Sequence, residues 1–225
     1  QELCNGIFGI VCLDYADSKD ILSVLLPPLL EAALSPDRLS FQDTVNASQT
    51  FAFLLYYQKG SLDGDTRSRI EAALNDMLPV IQRRDGMVVN RNQSERKVSD
   101  FVKLIFADDK DVTVTCNDYL FGFESDIVIR HQSQQNPLNQ DQEQQQHPQQ
   151  HQQQMVINIE VDGSVHTTES KKIMFTRRRD QVLRDRGVII LRIPTSELQG
   201  SNQSKRLNKL KEDILHELQS YNKMP

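Results

Sequence analysis

The chain has 225 residues, 38% of them hydrophobic and 25% charged, and carries a formal net charge of −5 at pH 7. This length accommodates one large domain or two small ones, and the acidic balance excludes a uniformly basic nucleic-acid-binding protein. No apolar run reaches the ~18 residues of a membrane-spanning helix, so we expect no membrane partner. Because the chain begins at Gln1, we expect a fragment whose targeting peptide, if any, lies upstream.

The first ninety residues have the pattern of consecutive helices. Apolar residues recur at helical spacing in four segments, 2–15, 20–34, 42–58 and 65–84. The pair Pro27-Pro28 predicts a kink or restart in the second helix, and Asp65 is expected to cap the fourth. Helices of this length indicate an all-α helical-repeat segment over 1–90, with a small helical bundle as the alternative.

The second half of the chain changes period and predicts an α/β domain over 94–221. The expected elements are a helix (94–106), three strands (111–116, 123–129 and 155–161), a helix (170–186), a strand (188–193) and a last helix (204–221). The strand at 188–193 is almost wholly apolar, which is typical of a sheet centre covered on both faces. Tyr119, Phe121 and Phe123 are expected in the core, with base stacking as the alternative.

A glutamine-rich tract separates the second and third predicted strands. Of the 23 residues from Gln132 to Gln154, 13 are glutamine. Such a sequence cannot bury enough apolar surface to offset the entropy lost on ordering. We therefore expect a disordered insertion at 132–154.

Acidic residues gather at the ends of two predicted strands. Asp126 lies in the second strand, and Glu160 and Asp162 share one face of the third because side chains repeat every two residues. Carboxylates packed together repel each other unless a cation, a proton or basic side chains compensate. Their oxygens suit Mg²⁺ or Mn²⁺, so Asp126 and Glu160 are candidate metal ligands, with ordinary solvated strand ends as the alternative.

The predicted helix at 170–186 is basic. From Ser170 to Pro225 there are 13 Lys or Arg residues against 6 Asp or Glu residues. Such a segregated surplus favours contact with backbone phosphates. The candidate phosphate-binding side chains are Lys171, Lys172, Arg177, Arg178, Arg179 and Arg184, together with His166, which precedes the helix. The alternatives are a solvated charged helix and, for His166, a structural cap.

The order of helix, three strands, helix and strand resembles the αβββαβ core of the PD-(D/E)XK, or restriction-endonuclease-like, superfamily. In that superfamily an Asp on the second strand and a Glu on the third hold the metal, and a Lys follows the Glu by two residues. Asp126 and Glu160 match the first two positions. Asp162 stands at the position of the Lys, so the chain departs from the catalytic pattern.

Several segments are similar to one branch of that superfamily, the RAP domain, named as an RNA-binding domain abundant in apicomplexans. Its central signature resembles I-E-V-D-G-S-V-H at 159–166, and its closing strand resembles I-L-R-I-P-T-S-E-L at 190–198, although Leu198 stands where an aromatic residue is common. The basic helix and Gly187 fit the same pattern. The upstream leader resembles S-E-R-K-V at 94–98 and E-S-D-I-V-I at 124–129.

The resemblance implies RNA binding in the metabolism of mitochondrial or plastid transcripts: RNA processing, RNA stability or rRNA maturation. RAP domains follow helical repeats, which would choose the RNA or bind protein partners. Binding alone requires no cofactor. One alternative is an endonuclease that uses Asp126, Glu160 and Asp162 as catalytic residues with Mg²⁺ or Mn²⁺. The second alternative is a protein-interaction scaffold.

Overall fold

A computed structural model describes residues 2–13, 18–34, 39–57, 62–85, 93–132, 154–163 and 170–221. The chain divides into two compact units. The first comprises Gln1–Asn90 and Tyr119–Glu124, and the second comprises Arg91–Asp118 and Ser125–Pro225. Within the described residues, no helix combines the length and apolarity needed to cross a membrane.

Four helices form most of the first unit: α1 (Glu2–Leu13), α2 (Ser18–Ala33), α3 (Phe41–Tyr57) and α4 (Gly64–Asp85). The apolar face of α3 lies deepest in this unit, and Phe51, Phe53 and Leu54 are fully buried. Ile70, Met77 and Ile81 of α4 are fully buried as well, at the helical spacing that the sequence displays. The core of the first unit therefore follows from the periodicity of its helices.

The predicted restart at Pro27-Pro28 and the predicted cap at Asp65 were wrong, and the kink at the prolines stays a prediction. Helix α2 continues through Pro27 and Pro28, which are both exposed, while Leu26 and Leu29 on either side are buried. The packing of these leucines stabilises the helix where the two prolines have no N–H group for the helical hydrogen bonds. Helix α4 is capped by Asp63 rather than Asp65. Helix α4 begins at Gly64, so Asp63 is the residue just before its first turn. The Asp63 carboxylate accepts a hydrogen bond from the backbone N–H of Thr66 at 2.8 Å.

The first unit also contains the turn of a β-hairpin from the second half of the chain. Strand β1 (Val112–Leu120) runs beyond its predicted end and is joined to β2 (Phe123–Gln132) by only two residues. Phe121 and Gly122 have φ angles of 53° and 89°, as a type I′ turn requires. Phe123 is fully buried, and its ring meets that of Phe53 edge-on with centroids 4.9 Å apart.

The predicted core role is confirmed for Tyr119 and Phe123, which are 5% and 0% exposed. Phe121, at the turn, remains 38% exposed. The sequence predicted that the hairpin belongs wholly to the α/β domain, but its turn clusters with the helices instead. The reason is that the aromatic side chains flanking the turn are buried among apolar helix residues.

The second unit has mixed α/β structure, in the predicted order. It contains α5 (Gln93–Ile105), strands β1 and β2 up to the turn, β3 (Gln154–Asp162), α6 (Ser170–Arg184), β4 (Val188–Pro194), a 3₁₀ turn (Thr195–Leu198) and α7 (Asn202–Tyr221). The strands form one mixed sheet in the order β1-β2-β3-β4. Strand β3 is antiparallel to β2 and parallel to β4.

The predicted central position of the apolar strand 188–193 was wrong, because β4 is an edge strand of the described sheet. Its apolar character has another cause. Helix α6 contacts β4, and Ile193 belongs to the core formed with α7. Packing contacts on both faces thus account for the apolar strand, although one of its edges is not paired with another described strand.

The two faces of the sheet have different chemistry. One face is apolar and packs against α5 and α7, with a core that includes Val98, Val102, Ile127, Ile129, Ile157, Ile159, Val161, Leu210 and Ile214. The alternate residues of β2 and β3, among them Asp126, Asn158 and Glu160, point to the other face, as the period of two dictates. This second face carries the acidic residues that the sequence singled out.

The ends of the glutamine-rich tract are ordered. Gln132 and Gln154 pair as the last residue of β2 and the first of β3, so the expected disorder was wrong for these two positions. The rest of the tract, residues 133–153, lies outside the described residues.

Replacing Gly122 tests the packing of the hairpin turn. A Cβ atom here would lie 2.9 Å from the backbone oxygen of Ser48, and the residue has a φ of +89°. We expect Gly122→Ala to lower the free energy of unfolding by about 1–3 kcal/mol, because both the contact and the backbone angle oppose a side chain. Chemical denaturation measures the effect. Gly64→Ala is the control, since nothing lies within 4 Å of its added Cβ. Equal stability of the two variants would contradict the packing described.

Candidate functional site

The strand register brings the carboxylates together on one face. In the antiparallel pair, Ile127 lies opposite Ile159, which puts Asp126 beside the end of β3. The Asp126 carboxylate accepts a hydrogen bond from the backbone N–H of Val161 at 2.7 Å. In the parallel pair, Glu160 lies opposite Arg192. The candidate site therefore spans β2, β3 and β4, and helix α6 supplies its remaining side chains.

Glu160 is 7% exposed, and both of its carboxylate oxygens have partners. Oε1 accepts a hydrogen bond from the side-chain amide of Asn158 at 2.8 Å. Oε2 lies 2.8 Å from Nη2 of Arg179 in helix α6. A guanidinium and an amide donor compensate this buried carboxyl group, so both of its oxygens are satisfied.

Arg192 connects three elements through its guanidinium. Nη1 lies 2.6 Å from Oδ1 of Asp162 on β3. On the other side, Nη2 lies 2.8 and 2.9 Å from the two oxygens of Asp180 on α6, and Nε donates to Asp180 at 3.2 Å. Asp180 is 5% exposed. This forked contact fixes α6 against β3 and β4, as an ammonium group could not.

Asp126 is compensated in a different way. Burial raises the pKa of the Asp126 carboxyl to about 7, and the negative charges of Glu160 and Glu95 add to the rise. The hydrogen bond from Val161 and the charge of Arg179 oppose it without cancelling it. Near neutral pH, a proton therefore neutralises Asp126 for a substantial fraction of the time.

Arg179 is the cation that forms an ion pair with Glu160. Burial lowers the pKa of its guanidinium, but Glu160 and Asp180 outweigh that effect, and the pKa lies above its ordinary value. Its side chain is only 13% exposed. The sequence assigned Arg179 to phosphate binding; the structure instead turns it inward, because it faces the buried Glu160. Arg179 is therefore not one of the exposed cations of α6.

The other arginines of α6 differ in exposure. Arg177 and Arg184 are exposed and lie seven residues apart, which places them on one face of the helix about two turns apart. Arg178 is partly buried. The side chains of Lys171 and Lys172, and the whole of His166, lie outside the described residues. Among the predicted phosphate-binding residues whose side chains are described, Arg177 and Arg184 are the exposed ones. They define the outer face of α6.

The arrangement does not fit a divalent metal as it stands. Both Glu160 oxygens and one oxygen each of Asp126 and Asp162 accept contacts from nitrogen atoms. Among the described residues, no group of three or more His, Cys, Asp or Glu side chains is placed to hold a metal ion. A nuclease would require those oxygens for its metal. Four of the six carboxylate oxygens of Asp126, Glu160 and Asp162 are thus already in contact with nitrogen atoms of the protein.

Sequence reasoning missed two members of the site, Arg192 and Asp180. Arg192 left a signal, since it is the only charged residue in the strand Val188–Pro194. A charge within an otherwise apolar strand predicts a buried partner of opposite sign. Asp180 directly follows three arginines in a basic helix. Its contact with β4 depends on helix orientation, which spacing alone does not determine.

Comparison of the chain with protein-family models, with curated proteins and with solved structures finds no match.

The raised pKa of Asp126 predicts how stability changes with pH. The folded protein binds this proton more tightly than the unfolded chain, whose carboxyl has a pKa near 3.8. The contribution of Asp126 to stability is therefore complete at acidic pH and is lost as the pH rises from about 4 to about 7. We expect Asp126→Asn, which keeps an oxygen for Val161, to be more stable than the natural chain at about pH 8, by roughly 2–4 kcal/mol.

Urea unfolding between about pH 4 and about pH 8 measures this difference. The advantage of the asparagine variant should grow with pH and level off above the folded-state pKa. Asp100→Asn, an exposed change on α5, serves as the control. A constant difference between Asp126→Asn and the natural chain over this range would show that the carboxyl is ionised throughout.

Proposed function

We propose that the second unit is an RNA-binding domain of the RAP type, with the αβββαβ core of the restriction-endonuclease-like fold, in a protein of organellar RNA metabolism. It would act on mitochondrial or plastid RNA in processing, stability or rRNA maturation. The helical unit would contribute RNA selection or protein contacts. The proposal involves no cofactor. It rests on the sequence resemblance and on the charge arrangement around α6.

The observation that carries the proposal is the separation of charges on α6. The acidic residues on the inner side of the helix have cationic partners within the domain, Arg179 for Glu160 and Arg192 for both Asp162 and Asp180. Arg177 and Arg184 face solvent, whereas the ion pairs of Glu160, Asp162 and Asp180 lie on the side of the helix that packs against the strands. A phosphate approaching this outer face meets positive charge without strong repulsion from the acidic face.

This geometry supports backbone recognition. Two exposed arginines, about two turns apart on one helix face, can neutralise separate phosphates of a single strand. Such contacts give an affinity that falls with salt and distinguishes poorly between sequences. The choice of RNA would then come from other surfaces, and the helical unit is the natural source in an architecture of this kind.

The test is binding of labelled single-stranded RNA by the whole chain across a salt series. We expect salt-dependent binding that is the same with Mg²⁺, with Mn²⁺ and with a chelator, and that leaves the RNA intact. The double variant Arg177→Ala/Arg184→Ala should weaken binding and reduce the slope of log K against log salt by about 1–1.5, since each lost phosphate contact in single strands contributes about 0.7.

Arg96→Ala is the matched control, because Arg96 is an exposed arginine on another helix of the same unit. An unchanged slope in the double variant would remove the outer face of α6 from RNA binding. Cleavage that disappears with chelator and in Asp126→Ala would make the protein an endonuclease instead. Absence of binding at low salt would leave the protein-interaction scaffold.

A further inference from the structure

We infer that Arg179 and Arg192 occupy the role of a divalent cation in this acidic site, and that removal of Arg179 uncovers a latent Mg²⁺ or Mn²⁺ site at Asp126 and Glu160. In the natural chain the two guanidinium groups would exclude the metal by holding its ligands. This inference concerns the interior of the second unit and does not depend on RNA binding.

Four acidic residues gather on the charged face of the sheet and at helix α6. Asp126 lies on β2, Glu160 and Asp162 lie on β3 and Asp180 lies on α6, and Glu160 and Asp180 are almost completely buried. Carboxylates removed from water and brought together need positive charge nearby. In many proteins a divalent cation supplies that charge. Here the charge is supplied by side chains of the same domain.

Each guanidinium bridges acids that lie on different elements. Arg179 Nη2 is 2.8 Å from Glu160 on β3 and 3.3 Å from Asp180 on its own helix. Arg192 Nη1 is 2.6 Å from Asp162, and its Nη2 is 2.8 Å from Asp180. Asp180 is thus shared by both arginines. One cation that bridges several acidic groups is the arrangement that a metal ion would otherwise make.

Arg179 is the residue whose removal should admit a metal. Its loss would free Oε2 of Glu160, which lies beside Asp126 across the β2–β3 pair. Asn158, fully buried and bonded to Glu160 through its amide nitrogen, has an Oδ1 atom that accepts no hydrogen bond from the described residues. Two carboxylates, an amide oxygen and water are a ligand set that Mg²⁺ and Mn²⁺ accept.

The small exposed part of the Arg179 side chain also favours metal binding in the variant. Its side chain is 13% exposed, so the space left by its truncation would lie just beneath the surface and be reachable by a hydrated ion. Arg192 would remain in place, bound to Asp162 and Asp180. The expected site in the variant is therefore confined to the Asp126–Glu160 pair and does not require the whole cluster to reorganise.

The experiment measures Mn²⁺ binding to the whole chain by electron paramagnetic resonance, with Mn²⁺ as the only added ligand. The natural chain should show no stoichiometric site. Arg179→Ala should bind one Mn²⁺ at least about tenfold more tightly than the natural chain, a factor that corresponds to 1.4 kcal/mol. Arg179→Lys retains a positive charge at this position and should gain little affinity.

Two further variants make the test specific. Arg179→Ala/Glu160→Gln should lose the gained Mn²⁺ site, because one of its carboxylates is gone. Arg177→Ala, which removes an exposed arginine two residues away, should gain no site. If Arg179→Ala unfolds in the absence of metal, recovery of its helical circular dichroism signal by Mn²⁺ counts in favour of the inference.

Three results would overturn the inference. The first is a stoichiometric Mn²⁺ site in the natural chain that Glu160→Gln abolishes, which would mean that the metal coexists with the arginines. The second is a folded Arg179→Ala variant with no gain in Mn²⁺ affinity. The third is an unfolded Arg179→Ala variant that Mn²⁺ does not rescue.

Discussion

The second unit depends on one constraint, the need to neutralise carboxyl groups that its sheet and helix bury together. Three means are used within a short distance. Asp126 binds a proton, because its pKa is raised to about 7. Glu160 forms an ion pair with Arg179. Asp162 and Asp180 both form ion pairs with Arg192. Each solution avoids an uncompensated buried charge, which would cost several kcal/mol in a protein interior. The same contacts attach α6 to the strands.

This attachment determines which arginine side chains of α6 face solvent. Residues 177 and 179 lie on different sides of a helix, because successive residues rotate by about 100°. With Arg179 held by Glu160, Arg177 and Arg184 are left on the outer side. A run of basic residues in the sequence is thus divided into cations that hold the domain together and cations that remain available for a ligand. Net charge alone could not have separated the two.

Much of the fold could be predicted from periodicity, because periodicity reports which face of an element is buried. The helix-to-strand order of the second unit and the alternation of Ile127 and Ile129 with Asp126 and Val128 follow in this way. The place of β4 at the edge could not be foreseen, since an apolar strand covered on both faces has the same sequence at a centre or an edge. The turn at Phe121-Gly122 was equally hidden, because its burial involves residues distant in the chain, such as Ser48.

Prediction of the candidate site from the sequence meets the same limit, because it depends on which residues pair across the strands. The period of two predicted that Glu160 and Asp162 share a face, but the parallel pairing that sets Glu160 opposite Arg192 is not encoded locally. That pairing accounts for the acidic residue at position 162. Asp162 lies 2.6 Å from the Arg192 guanidinium. A lysine there would place two positive charges side by side in a partly buried position. The acidic side chain of Asp162 is thus matched to the guanidinium of Arg192, which also holds Asp180 of α6.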